Sequence, residues 1–259
     1  MEFRPCIDIH NGQVKQIVGS SLTDTNDLAA ENFVSDVNAD FYANMYKDLG
    51  IKGGHVILLN SKDSEYYELT KKQALLALST TPGYLQVGGG ISADNAREFL
   101  DAGASHVIVT SYVFKDGKIN YNNLNKLVEA VGKEHIVLDL SCKKTDNGYV
   151  IVTDRWQKMT DTVVTLEALE QLSSYCDEYL IHAVDVEGKC NGIEEELVSL
   201  LSEYNGLPVT YAGGVGTFKD LQKLKELGKS KINVTIGSVL NIFGGDMELI
   251  KVLEYIKAM

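Results

Sequence analysis

The sequence has 259 residues, of which 44% are hydrophobic and 23% are charged, and its formal net charge at pH 7 is −12. This composition is typical of a folded globular protein and excludes a disordered chain. The acidic balance argues against a broad basic surface for nucleic acid or for an anionic membrane, so a phosphate ligand must be bound by local groups.

The cysteines and the N-terminal segment indicate the cellular setting. The four cysteines form no CxxC pair and have no metal-ligand spacing with the five histidines, so we expect neither disulfides nor a zinc site. The sequence contains no apolar run of 18 residues, and "MEFRPCIDIHNG" lacks the apolar core of a signal peptide. We therefore expect a reduced, cytoplasmic protein that does not bind membranes.

Short apolar runs rich in Val, Ile and Leu alternate with helical patterns along the whole chain. In chain order, the predicted strands are 4–9, 55–60, 84–89, 106–111, 135–141, 178–184, 207–214 and 232–238. The predicted helices are 37–50, 70–79, 93–102, 122–131, 165–175, 193–204, 217–227 and 245–257. Continuously apolar strands that alternate with amphipathic helices predict a parallel sheet covered by helices.

An internal repeat decides between a closed barrel and an open sheet. Three landmarks at strand ends recur in the same order about half a chain apart: Asp8 with Asp139, Gly89-Gly90 with Gly213-Gly214, and Ser111 with Ser238. Two halves of four units each fit a closed eightfold barrel better than an open sheet. We therefore predict one (βα)8 barrel domain over residues 1–259, with residues 142–162 forming a long functional loop after the fifth strand.

The repeated glycine clusters predict two phosphate sites. Glycine permits positive φ and close approach to backbone N–H groups, and a following helix N-terminus adds partial positive charge. The first site would combine Gly88, Gly89 and Gly90 with Thr110 and Ser111, and the second would combine Gly213 and Gly214 with Gly237 and Ser238. These sites lie on opposite sides of the predicted barrel, so a ligand with a phosphate at each end would span the mouth. The alternative is two tight turns that bind nothing.

Asp8 and Asp139 come near the carboxyl ends of the first and fifth strands, which face each other in an eight-stranded barrel. A carboxylate among apolar strand residues is costly unless it is paired or solvated in a cavity. Both are therefore candidates for acid–base chemistry at the mouth. The alternative is a pair of structural carboxylates that accept backbone hydrogen bonds.

Other polar and aromatic side chains are candidates for ligand contacts or proton transfer at the same mouth: His10, Lys15, Arg155, Trp156, His182 and Asp185. His182 ends the sixth strand and has a reference pKa near neutrality, whereas Trp156 offers a flat face for a heterocycle. A packed histidine, a surface lysine and a hydrophobic anchor are the alternatives for these residue types. The histidines that begin strands are predicted to be structural and to lie at the opposite face: His55, His106 and His135.

The ordered set of motifs "RPCIDIHNGQVKQIV", "VGGGIS", "VLDLS", "HAVDVEGKCNGI", "YAGGVGTFKDL" and "VTIGSVL" resembles a known enzyme family. It is similar to the phosphoribosylformimino-aminoimidazole carboxamide ribotide isomerases of histidine biosynthesis, and in particular to their fungal and plant branch. The resemblance implies an Amadori rearrangement of an aminoaldose to an aminoketose, in a substrate that carries two phosphates. It also implies that Asp8 is the general base, that Asp139 is the acid that opens the furanose ring, and that no metal or organic cofactor takes part.

The chain departs from other members of that family at three positions. His182 stands where bacterial members carry a threonine. Asn60 lies where members usually have an acidic pair, and Ser92 stands where many have an arginine after the first glycine cluster. The alternatives are the sister cyclase of the same pathway and a barrel that binds a sugar phosphate without catalysis. For partners we expect only the small bisphosphate substrate, with a monomeric chain and no nucleic acid.

Overall fold

Eight parallel strands form the barrel at the centre of this computed structural model, which describes residues 1–17, 21 and 29–258. They are β1 (Cys6–His10), β2 (Gly54–Leu58), β3 (Leu85–Gly88), β4 (Val107–Val109), β5 (Ile136–Asp139), β6 (Glu178–His182), β7 (Val209–Ala212) and β8 (Asn233–Thr235). Each strand pairs in parallel with its neighbours in chain order from β1 to β8. The predicted strands are therefore confirmed, although most end earlier than the sequence suggests.

The segment before β1 closes the barrel. Phe3 forms a parallel bridge with Val234 of β8. On either side of this bridge, the Arg4 N–H donates to the Val234 carbonyl over 2.8 Å, and the Val234 N–H donates to the Glu2 carbonyl over 2.9 Å. Closure leaves no free edge among the barrel strands, which confirms the predicted (βα)8 barrel.

The helices of the described residues cover the outside of the barrel. They are α1 (Ala39–Asp48), α2 (Tyr67–Thr80), α3 (Ala96–Asp101), α4 (Tyr121–Val131), α5 (Leu166–Leu172), α6 (Glu195–Ser202), α7 (Phe218–Leu227) and α8 (Leu249–Lys257). In α7 the apolar stripe buries Leu221 and Leu224, and Thr217 and Asp220 form a reciprocal capping box that fixes the start of the helix. No helix in these described ranges is long and apolar enough to cross a membrane.

Alternate residues of each strand point into the barrel, and β6 shows the layers that result. At its start, Glu178 accepts hydrogen bonds across the interior from Gln86 (3.1 Å) and Thr210 (2.8 Å). Midway, Leu180 belongs to an apolar cluster contributed by four strands. At its end, His182 contacts Asp139 of β5. The strand alternation thus places the candidate catalytic residues in one polar layer above an apolar one.

Additional strands extend the loops at the mouth. Two strands follow β1, namely Gln13–Ile17 and Glu31–Val34. A small hairpin follows the 3-10 helix Ser111–Val113 and consists of Phe114–Lys115 and Lys118–Ile119. An antiparallel sheet of three strands follows β5, and we call it the accessory sheet: Cys142–Thr145, Gly148–Thr153 and Lys158–Val163. Residues 142–162, predicted as a loop, therefore have regular structure. The prediction was wrong because the polar composition concealed the run from Tyr149 to Val152, in which every residue is buried on the protein.

Candidate active site

Two adjoining cavities open at the carboxyl ends of the strands. The larger, of about 400 Å³, is lined by the members of the first predicted phosphate site: Gly88, Gly89, Gly90, Thr110 and Ser111. The smaller, of about 70 Å³, is lined by the members of the second: Gly213, Gly214, Gly237 and Ser238. Asp8, His182 and Glu187 line both cavities. The structure thus groups the candidate phosphate residues as the sequence grouped them, with the acid–base candidates at the junction.

The glycines at these turns make room for protein backbone as well as for a ligand. Gly89 has φ +99°, and a Cβ atom there would lie 2.1 Å from the Leu58 carbonyl oxygen. Gly214 has φ +75°, and its Cβ would lie 2.0 Å from the Gly192 carbonyl oxygen. Both positions therefore require glycine on steric grounds, because the end of β2 packs directly against the first turn and the loop after β6 packs directly against the second.

Asp8 is a carboxyl group with a pKa near neutrality. Burial and the nearby Glu187 charge raise the pKa of Asp8 to about 7, although His182 opposes the shift. Its Oδ2 accepts a hydrogen bond of 3.3 Å from Gln16 Nε2. Gln16 comes from the strand after β1, is 4% exposed and was not singled out in the sequence, because nothing in its local pattern shows that this strand folds over the mouth. A general base that works at neutral pH needs a pKa of this kind.

Asp139 and His182 form an ion pair. His182 Nδ1 lies 3.1 Å from Asp139 Oδ1, which also accepts a hydrogen bond of 2.9 Å from the Ser141 hydroxyl. Burial alone would raise the pKa of Asp139, but the His182 charge and hydrogen bonds from His182, Ser141 and Thr110 hold it below its usual value. Burial likewise disfavours the imidazolium, but Asp139 raises the pKa of His182 to about 9. At neutral pH the proton of this pair therefore resides on His182.

Glu187 is a third acidic residue at the junction that the sequence did not predict as a site residue. Burial raises its pKa, and Oε2 is buried without a hydrogen-bond partner among the described residues. This oxygen lies 3.3 Å from the position of a Cβ on Gly213. The sequence feature that could have indicated Glu187 is its place in "HAVDVEGKCNG", five residues after His182 and directly before Gly188. A buried carboxyl with an unused oxygen beside a phosphate-type turn is a functional candidate.

The accessory sheet places Trp156 and Arg155 at the larger cavity. Asp154, Arg155 and Trp156 all have φ between +51° and +67°, in the left-handed region that favours glycine. The Trp156 ring lies 6.1 Å from the His182 ring, and the Asp154 N–H donates to the Ser111 hydroxyl over 2.9 Å. The tight turn, which is hydrogen-bonded to Ser111 in the 3-10 helix after β4, therefore holds an aromatic and a basic residue at the cavity.

Three residues predicted to contact a ligand do not line either cavity. Lys15 is 5% exposed and its ammonium pairs with Glu31 at 2.5 Å, because the strand after β1 turns this side chain away from the mouth. His10 is 1% exposed and packs in the protein interior. Asp185 accepts a hydrogen bond of 2.8 Å from the Lys144 N–H and so joins the accessory sheet to the loop after β6. The geometry therefore gives no support to a ligand contact at these three positions, because proximity in sequence to a strand end does not fix side-chain direction.

The strand-initial histidines differ from one another. His106 and His135 lie at the amino-terminal end of the barrel, with ring centroids 6.3 Å apart, away from both cavities. His55, predicted to be structural, points inward, lines the smaller cavity and lies 6.4 Å from the His182 ring. Burial, assisted by the His182 charge, lowers the pKa of His55 to about 3. The His55 ring is therefore neutral at pH 7 and does not compete with His182 for a proton.

The fold and the site together define a (βα)8 barrel with acid–base residues at its carboxyl-terminal mouth, between two glycine-rich turns. The family model described as "Histidine biosynthesis protein" matches residues 2–247, so the chain belongs to the histidine biosynthesis protein family.

Curated relatives share this similarity over most of the chain. A chloroplastic isomerase of Medicago truncatula is 51% identical over 95% of this chain and 79% of its own length. Relatives in Yarrowia lipolytica and Saccharomyces cerevisiae are 48% and 44% identical, each over 95% of this chain, and are covered over 93% and 94% of their own lengths. All three are named 1-(5-phosphoribosyl)-5-((5-phosphoribosylamino)methylideneamino) imidazole-4-carboxamide isomerase.

Proposed function

We propose that this protein catalyses the reaction for which those relatives are named, the Amadori rearrangement of the aminoaldose to the aminoketose in histidine biosynthesis. The observation that carries the proposal is the junction of the two cavities. There a carboxyl with a pKa of about 7 and a protonated imidazole line one space between two glycine-rich turns. Such a site fits a bisphosphate whose reacting carbons lie between an acid and a base.

The reaction requires a proton donor first. A proton is transferred to the furanose ring oxygen while the bond from that oxygen to C1′ breaks, which leaves a protonated imine. The family resemblance assigns this donor role to Asp139, but the lowered pKa of Asp139 favours its ionised form. We therefore assign the donated proton to His182 and make Asp139 the counter-ion that holds it in place.

Asp8 completes the isomerisation as the general base. It removes the C2′ proton from the protonated imine, which gives an enol-amine. The enol then loses its hydroxyl proton while C1′ gains one, so that a ketone and a secondary amine result with no net change in atoms. The protonated imine accepts the electron pair in this sequence, so the proposed chemistry needs no metal or organic cofactor.

The sizes of the cavities suggest how the substrate lies. The smaller cavity, of about 70 Å³, has room for a phosphate group beside Gly213 and Ser238. The larger, of about 400 Å³, has room for an imidazole ribotide with its heterocycle against Trp156 and its phosphate near Gly90. The reacting sugar then lies at the junction, next to Asp8.

The proposed setting is a cytoplasmic monomer. All four cysteines are free, as is usual in a reducing compartment. The Medicago truncatula relative is named as chloroplastic, so localisation of the fluorescently tagged full chain tests this part of the proposal. Sedimentation equilibrium tests the monomer.

A turnover assay of the purified protein with the aminoaldose tests the proposed activity. We expect conversion to the aminoketose in the presence of a metal chelator. A parallel reaction with the aminoketose and ammonia tests the cyclase alternative, and consumption of the aminoketose there would overturn the proposal. Tight binding of the aminoaldose without turnover would identify a barrel that only binds sugar phosphates.

A further inference from the structure

Cationic groups are distributed unevenly around the two cavities. Within the described ranges, no lysine or arginine lines the smaller cavity, whereas Lys62 and Arg155 both line the larger one. A phosphate ester carries roughly 1.5 to 2 negative charges at neutral pH. A phosphate in the larger cavity would therefore lie near two basic residues, Lys62 and Arg155, although the net charge of the protein is −12.

The side chain of Lys62 lies across the first glycine-rich turn. Lys62 follows β2 and lies in the loop that leads to α2. A Cβ atom on Gly90 would lie 3.5 Å from Lys62 Cε and 3.7 Å from Lys62 Cγ, which is ordinary van der Waals contact. The aliphatic stem thus runs over Gly90, and Lys62 lines the larger cavity together with Gly89 and Ser111.

The backbone that carries Lys62 is fixed on both sides. Two residues earlier, Asn60 is 4% exposed, and its Nδ2 donates to Asn11 Oδ1 over 2.7 Å while its Oδ1 accepts from Thr70 over 2.7 Å. After Lys62, the Ser64 N–H donates to the Ser61 carbonyl over 3.1 Å and closes a turn. A lysine on a rigid turn loses less conformational freedom when it binds an anion than one on a free loop.

The ammonium of Lys62 has no ion pair or hydrogen bond with any residue that the structure describes. Nearby lysines differ, since Lys71 pairs with Glu98 at 2.7 Å and Lys15 pairs with Glu31. Among the described residues, Lys62 therefore adds to the larger cavity a positive charge that no carboxylate pairs with.

We propose that Lys62 binds a phosphate monoester at the first glycine-rich turn and determines the preference of the larger cavity for a phosphorylated ligand. This inference rests on the proposed function and adds a binding residue to it. Lys62 would form a charge-assisted hydrogen bond to a phosphate oxygen, while neutral backbone N–H groups near Gly90 and Ser111 bind the remaining oxygens.

Kinetics of Lys62→Met test the assignment in the intact protein. Loss of a hydrogen bond to a charged group corresponds to a KM for the aminoaldose that is roughly 10- to 100-fold higher. We expect kcat to change by less than about twofold, because a phosphate remote from the reacting carbons is bound equally in the ground and transition states. Lys62→Arg should retain most of the affinity. Lys72→Met removes an exposed lysine of α2 that lines neither cavity, and should leave KM unchanged.

Calorimetric binding separates this inference from the proposed activity. The probes are 5-aminoimidazole-4-carboxamide ribotide, which has one phosphate, and its unphosphorylated riboside. Lys62→Met should weaken ribotide binding roughly 10- to 100-fold and leave riboside binding unchanged. If the protein fails to isomerise but this difference is found, the proposed function is wrong and the role of Lys62 stands. An unchanged ribotide affinity and KM in Lys62→Met, or an equal loss in Lys72→Met, would overturn the role of Lys62.

Discussion

His182 and Asp139 illustrate how a single contact changes which residue carries a proton. An isolated carboxyl buried in a barrel holds its proton, whereas here the neighbouring imidazole removes that proton and keeps it. Asp8 lines both cavities and forms no ion pair with any residue of the described ranges, and burial raises its pKa to about 7. The two aspartates, which hold equivalent positions in the two halves of the chain, thus have different pKa values. In the proposed mechanism Asp8 is the base, and the ionised Asp139 holds the protonated His182 that is the acid.

The pH dependence of catalysis should reflect these two groups. Activity requires ionised Asp8 and protonated His182, so kcat/KM should rise as pH passes about 7 and fall as pH passes about 9. His182→Asn should lower kcat and remove the alkaline decline. The measurement is a pH profile of both enzymes between pH 5.5 and about 10. If kcat/KM of the wild-type protein instead declines as pH rises through the low pKa of an acidic carboxyl, the proton donor is Asp139 and not His182.

Substitution of the base should abolish most of the activity while the protein stays folded. Asp8→Asn keeps the size of the side chain and its hydrogen bond to Gln16, but removes the ability to accept a proton. We expect kcat to fall about 100-fold or more, with Asp139→Asn showing a loss of the same order. Asp101→Asn, in an exposed position at the end of α3, is the matched control. Near-wild-type kcat in Asp8→Asn would contradict its assignment as the base.

At the scale of secondary-structure elements, the loops at the mouth support one another. The loop after β6 passes so close to the turn after β7 that Gly214 has no space for a side chain. The accessory sheet is joined to the 3-10 helix after β4 by Ser111 and to the loop after β6 by Asp185. The predicted helices and strands were each recognisable from local periodicity, but the accessory sheet was not, since the polar residues of its two outer strands concealed the apolar middle strand. Loop contacts of this kind depend on residues that are distant in sequence.

Gly214→Ala tests whether the second turn must pack this closely. Its Cβ would lie 2.0 Å from the Gly192 carbonyl oxygen, so one of the two loops must move and the smaller cavity should change shape. We expect KM for the aminoaldose to rise about 10-fold or more, as for loss of one charge-assisted hydrogen bond. Gly50→Ala has a similar φ of +71° and nothing within 4 Å of the added atom, so it controls for backbone strain alone. Equal effects of the two substitutions on KM would refute the steric explanation.

At the scale of the whole molecule, the barrel separates stability from chemistry along its axis. The amino-terminal end contains a polar cluster in which Glu178 binds Gln86 and Thr210 and lies 3.8 Å from Arg4. An apolar layer lies above this cluster, and the acid–base layer lies at the mouth. Substitutions at the two ends should therefore have separable effects on folding and on turnover.

Glu178→Ala should destabilise the protein without changing its chemistry. The substitution leaves the buried side chains of Gln86 and Thr210 without their partner and removes one of the two carboxylates near Arg4, which costs about 3 kcal/mol in the free energy of unfolding. We expect a lower urea midpoint and a kcat per folded molecule equal to that of the unmodified protein. Glu203→Ala removes an exposed partner of Lys229 and should leave the midpoint almost unchanged. An equal loss of kcat in Glu178→Ala would show that the two ends of the barrel are coupled.

The sequence by itself determined the barrel, the two glycine-rich turns and the opposed aspartates, because periodicity and an internal repeat are local or nearly local signals. Only the tertiary structure placed Gln16, Glu187 and Lys62 at the cavities, since each follows a barrel strand on a segment whose path depends on contacts distant in sequence. It also showed that Lys15 and His10 do not line the cavities. The protonation states of Asp8, Asp139 and His182 also depend on the tertiary structure, because a pKa is set by burial and by charges that folding brings within a few ångströms.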